Sequence, residues 1–230
     1  MQLRDVSAQL RAEAALQEAL AAQQAIARGA EHRIKNSLQL VASLLRLQAA
    51  HMEEPIGRSA VEAATARVLA VAEAHRALQR SPDLRRVRAS DLLDELAAGA
   101  AVQHPGTDLR TEAPEALTLD ADRAIPLALV LAELVEGGVR RSGAFPAAAS
   151  EPMRLCARRG GDAVLFEFVD GGGHGDAAPE EAAQGLGDKV VRALVRQIGA
   201  ALETERLPGG RLRTSLVLPD HAAEPAPARA

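Results

Sequence analysis

From Gln2 to Met52 the chain has no proline and a single glycine, Gly29, and this run constrains the fold more than any other feature. It is rich in Ala, Leu, Gln, Glu and Arg, which lose little on entering a helix, so one long helix is expected. Pro55 and Gly57 break it. Ser59 to Arg80 reads as a second helix, with Val61, Val68 and His75 at heptad spacing and Val71 and Leu78 beside them. Two long antiparallel helices joined by a short loop cannot bury both apolar faces alone. Pairing two hairpins into a four-helix bundle resolves this, so a homodimer is expected.

The remainder has shorter elements. Ser81-Pro82-Asp83 is a turn, and Ser90 is a suitable N-cap for a helix through Ala98. Short strands follow near Asp108 to Arg110 and Leu117 to Leu119, and Asp120 opens a helix to about Arg141. Met153 to Arg159 and Ala163 to Val169 alternate around Gly160-Gly161-Asp162 as a hairpin. Lys189 to Ile198 reads as helix, and Ala201 to Glu205 with Arg211 to Leu218 as a last hairpin around Pro208-Gly209-Gly210. The expectation is an α+β chain: a helical hairpin over 1–81, a mixed sheet covered by helices on one face over 82–219, and a disordered tail over 220–230.

Composition narrows the partners. Net charge is −4, which leaves no broad basic face for a nucleic-acid backbone. Aromatics are 1% of the residues, too few for base-stacking platforms. The lone Cys156 allows no internal disulfide or cysteine-clustered zinc site and reads as a small strand residue. The longest apolar run, Ala124 to Ala132, is far short of the roughly 20 residues that span a bilayer. Mixed charges at Arg4 and Asp5, and Glu13 and Glu18 beyond them, interrupt any signal-like core. A cytoplasmic protein without nucleic-acid or membrane partners is expected.

One histidine stands out. At 100° per residue, Asn36, Gln39, Ser43 and Arg46 fall within about 40° of His32, a continuous polar stripe. Ile34, Leu38, Val41 and Leu45 fall opposite as an apolar seam, which Leu40, Leu44 and Leu47 widen. The seam is the expected dimer contact. His32 then faces solvent, and no second His or Asp at i+4 makes it a metal ligand. An exposed neutral imidazole suits proton transfer or nucleophilic attack near neutral pH.

The string Glu31-His32-Arg33-Ile34-Lys35-Asn36, followed by Ser43-Leu44-Leu45, resembles the phosphoacceptor helix of bacterial histidine kinases of the HWE and HisKA_2 class. Ala74-His75-Arg76-Ala77-Leu78 resembles the end of the second helix in that family, with His75 itself expected as a partly buried bundle residue. The resemblance implies that His32 carries a phosphoryl group on an imidazole nitrogen. It implies that Glu31, Arg33, Lys35 and Asn36 form the motif around it, the charged ones orienting the ring or meeting the phosphate. A receiver domain docking there would touch Gln39, Ser43 and Arg46.

The second half resembles the Bergerat-type ATPase-like domain of such kinases. Ile125 to Leu131 and Glu133-Leu134-Val135 match its nucleotide-binding helix, and Asp170 matches the carboxylate that takes a hydrogen bond from the adenine amino group. Gly185 and Gly187 match its second glycine box. The family pattern has two asparagines around Glu133, the second a Mg²⁺ ligand; here the positions hold Ala132 and Gly137, and Arg140 and Arg141 replace Lys and His. The resemblance therefore implies a vestigial nucleotide site that holds no cofactor stably. Leu3, Val6 and Leu10 at coiled-coil spacing are expected in place of a sensor domain. The expected function is a dimeric histidine phosphotransferase, His32 shuttling a phosphoryl group between response-regulator receivers that supply the Mg²⁺. The alternative is a soluble histidine kinase that phosphorylates His32 from ATP.

Overall fold

A computed structural model describes residues 38–45, 47, 49, 51, 54–81, 85–142, 151–172 and 186–219, with positions 13 and 17 alone ahead of them. The expected tail at 220–230, the coiled-coil positions Leu3, Val6 and Leu10, and Ile34 of the seam lie outside the described residues. The expected α+β architecture is present.

Residues 38–45 are helical. Ala42 and Ala49 are buried and Leu38 and Leu45 half-buried, a stripe at i, i+4, i+7 and i+11. Leu40, Val41, Leu44 and Leu47 are 43–62% exposed. The expected seam is thus divided: Leu38 and Leu45 turn into the chain's own fold, whereas Val41 stays outside with the other leucines. Spacing alone identifies two apolar stripes without saying which one the chain covers itself.

Helix α1 (Pro55–Gln79) starts four residues earlier than expected. Pro55 occupies the first turn, where a missing N–H costs nothing because no carbonyl precedes it to accept. His75 on this helix is half-buried, as expected. Strand β1 (Arg86–Arg88) has no counterpart in the sequence reading, although Val87 between two arginines is fully buried. It leads into α2 (Ala89–Gln103), and Ser90 is not the cap: Arg88 holds that position without a side-chain cap bond. The Arg88 guanidinium instead donates to Asp91 across the first turn at 2.9 Å.

Strand β2 (Leu109–Glu112), β3 (Thr118–Asp120) and helix α3 (Ala121–Ser142) follow, then β4 (Met153–Gly160), β5 (Ala163–Val169), α4 (Leu186–Gln197), β6 (Ala201–Arg206) and β7 (Leu212–Pro219). The main sheet runs β2-β4-β5-β7-β6, with β2 parallel to β4 and the other pairs antiparallel. β1 and β3 form a separate antiparallel pair. One sheet face buries Leu155, Val164, Phe166, Phe168, Leu216 and Leu218 under the helices. The other carries ion pairs between neighbouring strands, Arg158 with Glu167 at 3.2 Å and Arg213 with Glu205 at 2.6 Å. Cys156 lies half-buried in β4, and burial pushes its thiol pKa up, which keeps it in the unreactive form.

Ala70, Ala74, Ala77 and Leu78 of α1 share one core with Leu92, Leu93, Leu127 and Leu131 of α2 and α3. Ion pairs add to this contact. Arg67 meets Glu133 of α3 at 2.6 Å, and Glu95 of α2 takes Arg76 and Arg80, each at 2.5 Å. Glu73 is buried between α1 and α2, where Gly99 makes room for it: a Cβ on Gly99 would stand 1.7 Å from Glu73 Oε1.

Burial raises the Glu73 pKa to about 8, with Arg76 opposing and Glu95 reinforcing the rise. Between the ordinary value of 4.5 and about 8 the folded chain holds this proton and the unfolded chain has released it. Stability should therefore fall as pH rises across that window. Thermal melts should show Tm dropping towards pH 8, and Glu73→Gln should flatten the slope and stabilise the chain at the alkaline end; an unchanged slope in the variant refutes the assignment. Separately, four exposed apolar residues on one helix face make a patch that soluble monomers seldom carry. Sedimentation should report a dimer, and the double change Leu40→Glu, Leu44→Glu should halve the sedimenting mass.

Candidate functional site

Asp170 directly follows β5 and is completely buried. An ionised side chain there needs donors on both oxygens. Oδ1 accepts the backbone N–H of Leu212 at 2.8 Å and that of Gly172 at 3.3 Å. Oδ2 accepts from Arg141 Nε, on the last turn of α3, at 3.0 Å. The Asp170 carbonyl accepts from Arg211 Nε at 2.9 Å, and the same guanidinium pairs with Glu151. Gly172 turns the chain at φ +81°, and a Cβ on it would meet the Arg211 stem at 2.8 Å, so the turn requires glycine on two counts. Two strands, one helix end and one loop thus meet at this carboxylate.

Helix α3 lies alongside. Ala132 and Gly137 are confirmed on it without side-chain oxygens, and their neighbour Glu133 is held by Arg67 rather than free. A Cβ on Gly137 would lie 3.0 Å from Arg141 Nη1 and 3.9 Å from Arg140 Nη2, so two guanidinium groups border that position. Residues 137 and 141 are one turn apart on one face. Gly138 serves packing instead: a Cβ there would stand 2.7 Å from Phe168 Cζ and 3.1 Å from Met153 Sδ. Glycine lets α3 rest directly on the sheet.

Of the expected acceptor and docking residues, His32, Glu31, Arg33, Lys35, Asn36 and Arg46 lie outside the described residues, as does Gly185. Gln39 and Ser43 are exposed on the helix, and Ser43 Oγ donates to its own backbone at Gln39 O, 2.9 Å away. Gly187 falls in the first turn of α4. The sequence reading missed two site residues and named a third, Arg141, only as a departure from the family pattern. Arg67 and Arg211 gave no local signal, being single arginines in an arginine-rich chain, while Arg141 was visible as a departure at i+4 from Gly137. No helix among the described residues is long and apolar enough to cross a membrane.

A magnesium-bound nucleoside triphosphate does not fit these residues. The metal needs an oxygen ligand where Gly137 and Ala132 offer none. Arg141 already engages the Asp170 oxygen that the resemblance assigns to the adenine amino group.

Comparison with known proteins agrees with the architecture. Residues 30–102 match the family HisKA_2, described as histidine kinase. Sensor histidine kinase PdtaS of Mycobacterium tuberculosis is 36% identical over 186 residues, covering 77% of this chain and 36% of its own length. The protein of that name from Mycolicibacterium smegmatis is 33% identical over 208 residues, 87% of this chain and 41% of its own. The chain therefore spans 36–41% of the length of these curated relatives. The histidine kinase domain of a blue-light activated histidine kinase from Erythrobacter litoralis superposes with a TM-score of 0.56 at 18% identity, covering 83% of this chain and 88% of that one. The longer structure of that kinase gives 0.55, covering 84% and 62%. The likeness shows the fold: a helical hairpin joined to an ATPase-like sandwich.

The two adjacent glycines of α3 should respond unequally to alanine. Gly138→Ala should cost about 1–3 kcal/mol through overpacking against Phe168 and Met153. Gly137→Ala should stay within about 1 kcal/mol of neutral, since a helix-propensity gain offsets a small displacement of a long side chain. Urea denaturation of both variants measures this.

Proposed function

Residues 30–102 belong to the HisKA_2 histidine kinase family, and from that premise we propose that the chain acts in two-component signalling as a homodimeric histidine phosphotransferase. His32 takes a phosphoryl group from the aspartyl phosphate of one receiver domain and passes it to the aspartate of another. An imidazole nitrogen lone pair attacks phosphorus, the bond to the aspartyl oxygen breaks, and the ring loses a proton as the phosphoramidate forms. The reverse sequence donates the group onward. Mg²⁺ comes with the receiver, and this chain contributes the nucleophile.

The observation that carries the reading is the ATPase-like cleft, where Gly137 lacks the metal-binding oxygen and Arg141 engages the Asp170 carboxylate. Phosphoryl transfer from a nucleotide depends on metal placement, and this arrangement favours a phosphate source other than ATP. Glu31, Arg33, Lys35 and Asn36 would hold the ring and the phosphate, and Gln39, Ser43 and Arg46 would meet the receiver. The exposed Gln39 and Ser43 beside the outer leucines suit a docking face.

A second reading, autophosphorylation of His32 from ATP, draws support from relatives that are called sensor histidine kinases and from the retained Asp170. One experiment separates the two. Purified chain is incubated with labelled phospho-receiver or with labelled ATP and Mg²⁺, each with wild type and His32→Ala. Label should reach the wild type from the receiver alone, be labile to acid and stable to alkali, and be absent in the variant. Labelling from ATP at a rate matching that from the receiver would establish the kinase reading instead.

A further inference from the structure

The same cleft carries an inference about its own state, resting on the reading of Asp170 as the former adenine partner. We propose that Arg141 is an internal ligand of the nucleotide cleft, its guanidinium standing in for the bound purine at Asp170 and closing the site to adenine nucleosides.

Three observations converge. First, Asp170 is completely buried, and its two oxygens have different partners: Oδ1 takes two backbone N–H groups and Oδ2 takes Arg141 Nε at 3.0 Å. A purine amino group donates N–H bonds to a carboxylate as a guanidinium N–H does, so Arg141 presents the same chemistry from within the chain. Second, Arg141 reaches this oxygen across the space bordering Gly137, whose notional Cβ lies 3.0 Å from Arg141 Nη1. A branched amide at 137 would crowd the guanidinium, so the lost metal ligand and the internal ligand are compatible with each other. Third, the partners are unequal in freedom. The Arg141 side chain is 25% accessible and ends a helix, whereas the carboxylate is fixed by the backbone of β7 and the Gly172 turn. The carboxylate therefore stays in place when the arginine is removed.

A nucleoside competing for Oδ2 has to displace a group tethered to the same chain, whose effective concentration does not depend on supply. Removing the arginine lifts that competition. It does not restore a metal site, since Gly137 still offers no oxygen, so the opened pocket should bind adenosine and ATP alike and without magnesium dependence.

The test is calorimetry with adenosine, and with ATP in the presence and absence of Mg²⁺, on wild type, Arg141→Ala and the double variant Arg141→Ala, Asp170→Asn. Circular dichroism checks each fold. Arg141→Met, which keeps the length of the stem without a donor, replaces Arg141→Ala if that variant unfolds. Wild type should show no heat up to millimolar ligand. The single variant should bind adenosine at least about tenfold more tightly than wild type, a difference of about 1.4 kcal/mol, with no change on adding Mg²⁺. The double variant should lose that gain. A folded single variant that still ignores adenosine overturns the proposal, and so does wild type binding adenosine as well as the variant. The receiver assay on wild type is independent of these outcomes: failure to transfer phosphate there removes the phosphotransferase reading and leaves the internal ligand standing.

Discussion

The fully buried Asp170 carboxylate is the constraint on which the second half of this chain turns. An uncompensated charge in a protein interior costs several kcal/mol, so everything around it is arranged as a donor. The backbone N–H of Leu212 fixes the start of β7, the N–H of Gly172 fixes the loop after β5, and Arg141 draws in the end of α3. Arg211 then closes the far side through the Asp170 carbonyl and Glu151. With donors drawn from the chain itself, Asp170 acts as a structural knot.

The second tie runs between the hairpin and the sandwich. Helix α1 is continuous with the helical core through small residues, Ala70, Ala74 and Ala77, which let it approach α2 and α3 closely. Arg67, Arg76 and Arg80 add charged contacts along its length, and Gly99 opens space for the buried Glu73. Glu133, the acid beside the altered metal position, is held by α1.

Much of this was legible in the sequence. The β4–β5 and β6–β7 hairpins followed from alternation around glycine turns, and α3 from its apolar periodicity; the structure places them within a residue or two. Missed features were those that local pattern does not encode. β1 is three residues long, and only its pairing with β3 distinguishes it from a turn. Ser90 had cap chemistry, but the strand delivers the chain into α2 two residues sooner. The apolar seam was read as one surface because heptad spacing cannot separate the stripe that meets the chain itself from the stripe left outside. At the site, Ala132 and Gly137 announced a loss directly. What filled the gap was a long-range pairing between residues 141 and 170, which no spacing rule connects.

That pairing also gives the arginine-rich composition a structural use. Lys35 and Lys189 are the only lysines, so 25 of the 27 basic residues are arginine. A lysine at 141 would bring a single strongly hydrated ammonium, which loses more on burial and offers no planar fork. Arginine places Nε on Asp170 while a terminal nitrogen of the same group lies against Gly137. One side chain thereby meets the buried carboxylate and fills the space left by a shortened neighbour. The same property recurs at Arg211, which bonds a carbonyl with Nε and a carboxylate with Nη1, and at Arg123, whose two terminal nitrogens reach the carbonyls of Pro219 and Ile198. At all three positions a forked cation belonging to the chain bridges separate elements. In each case one planar side chain, with donors at fixed angles, joins elements that are distant in sequence.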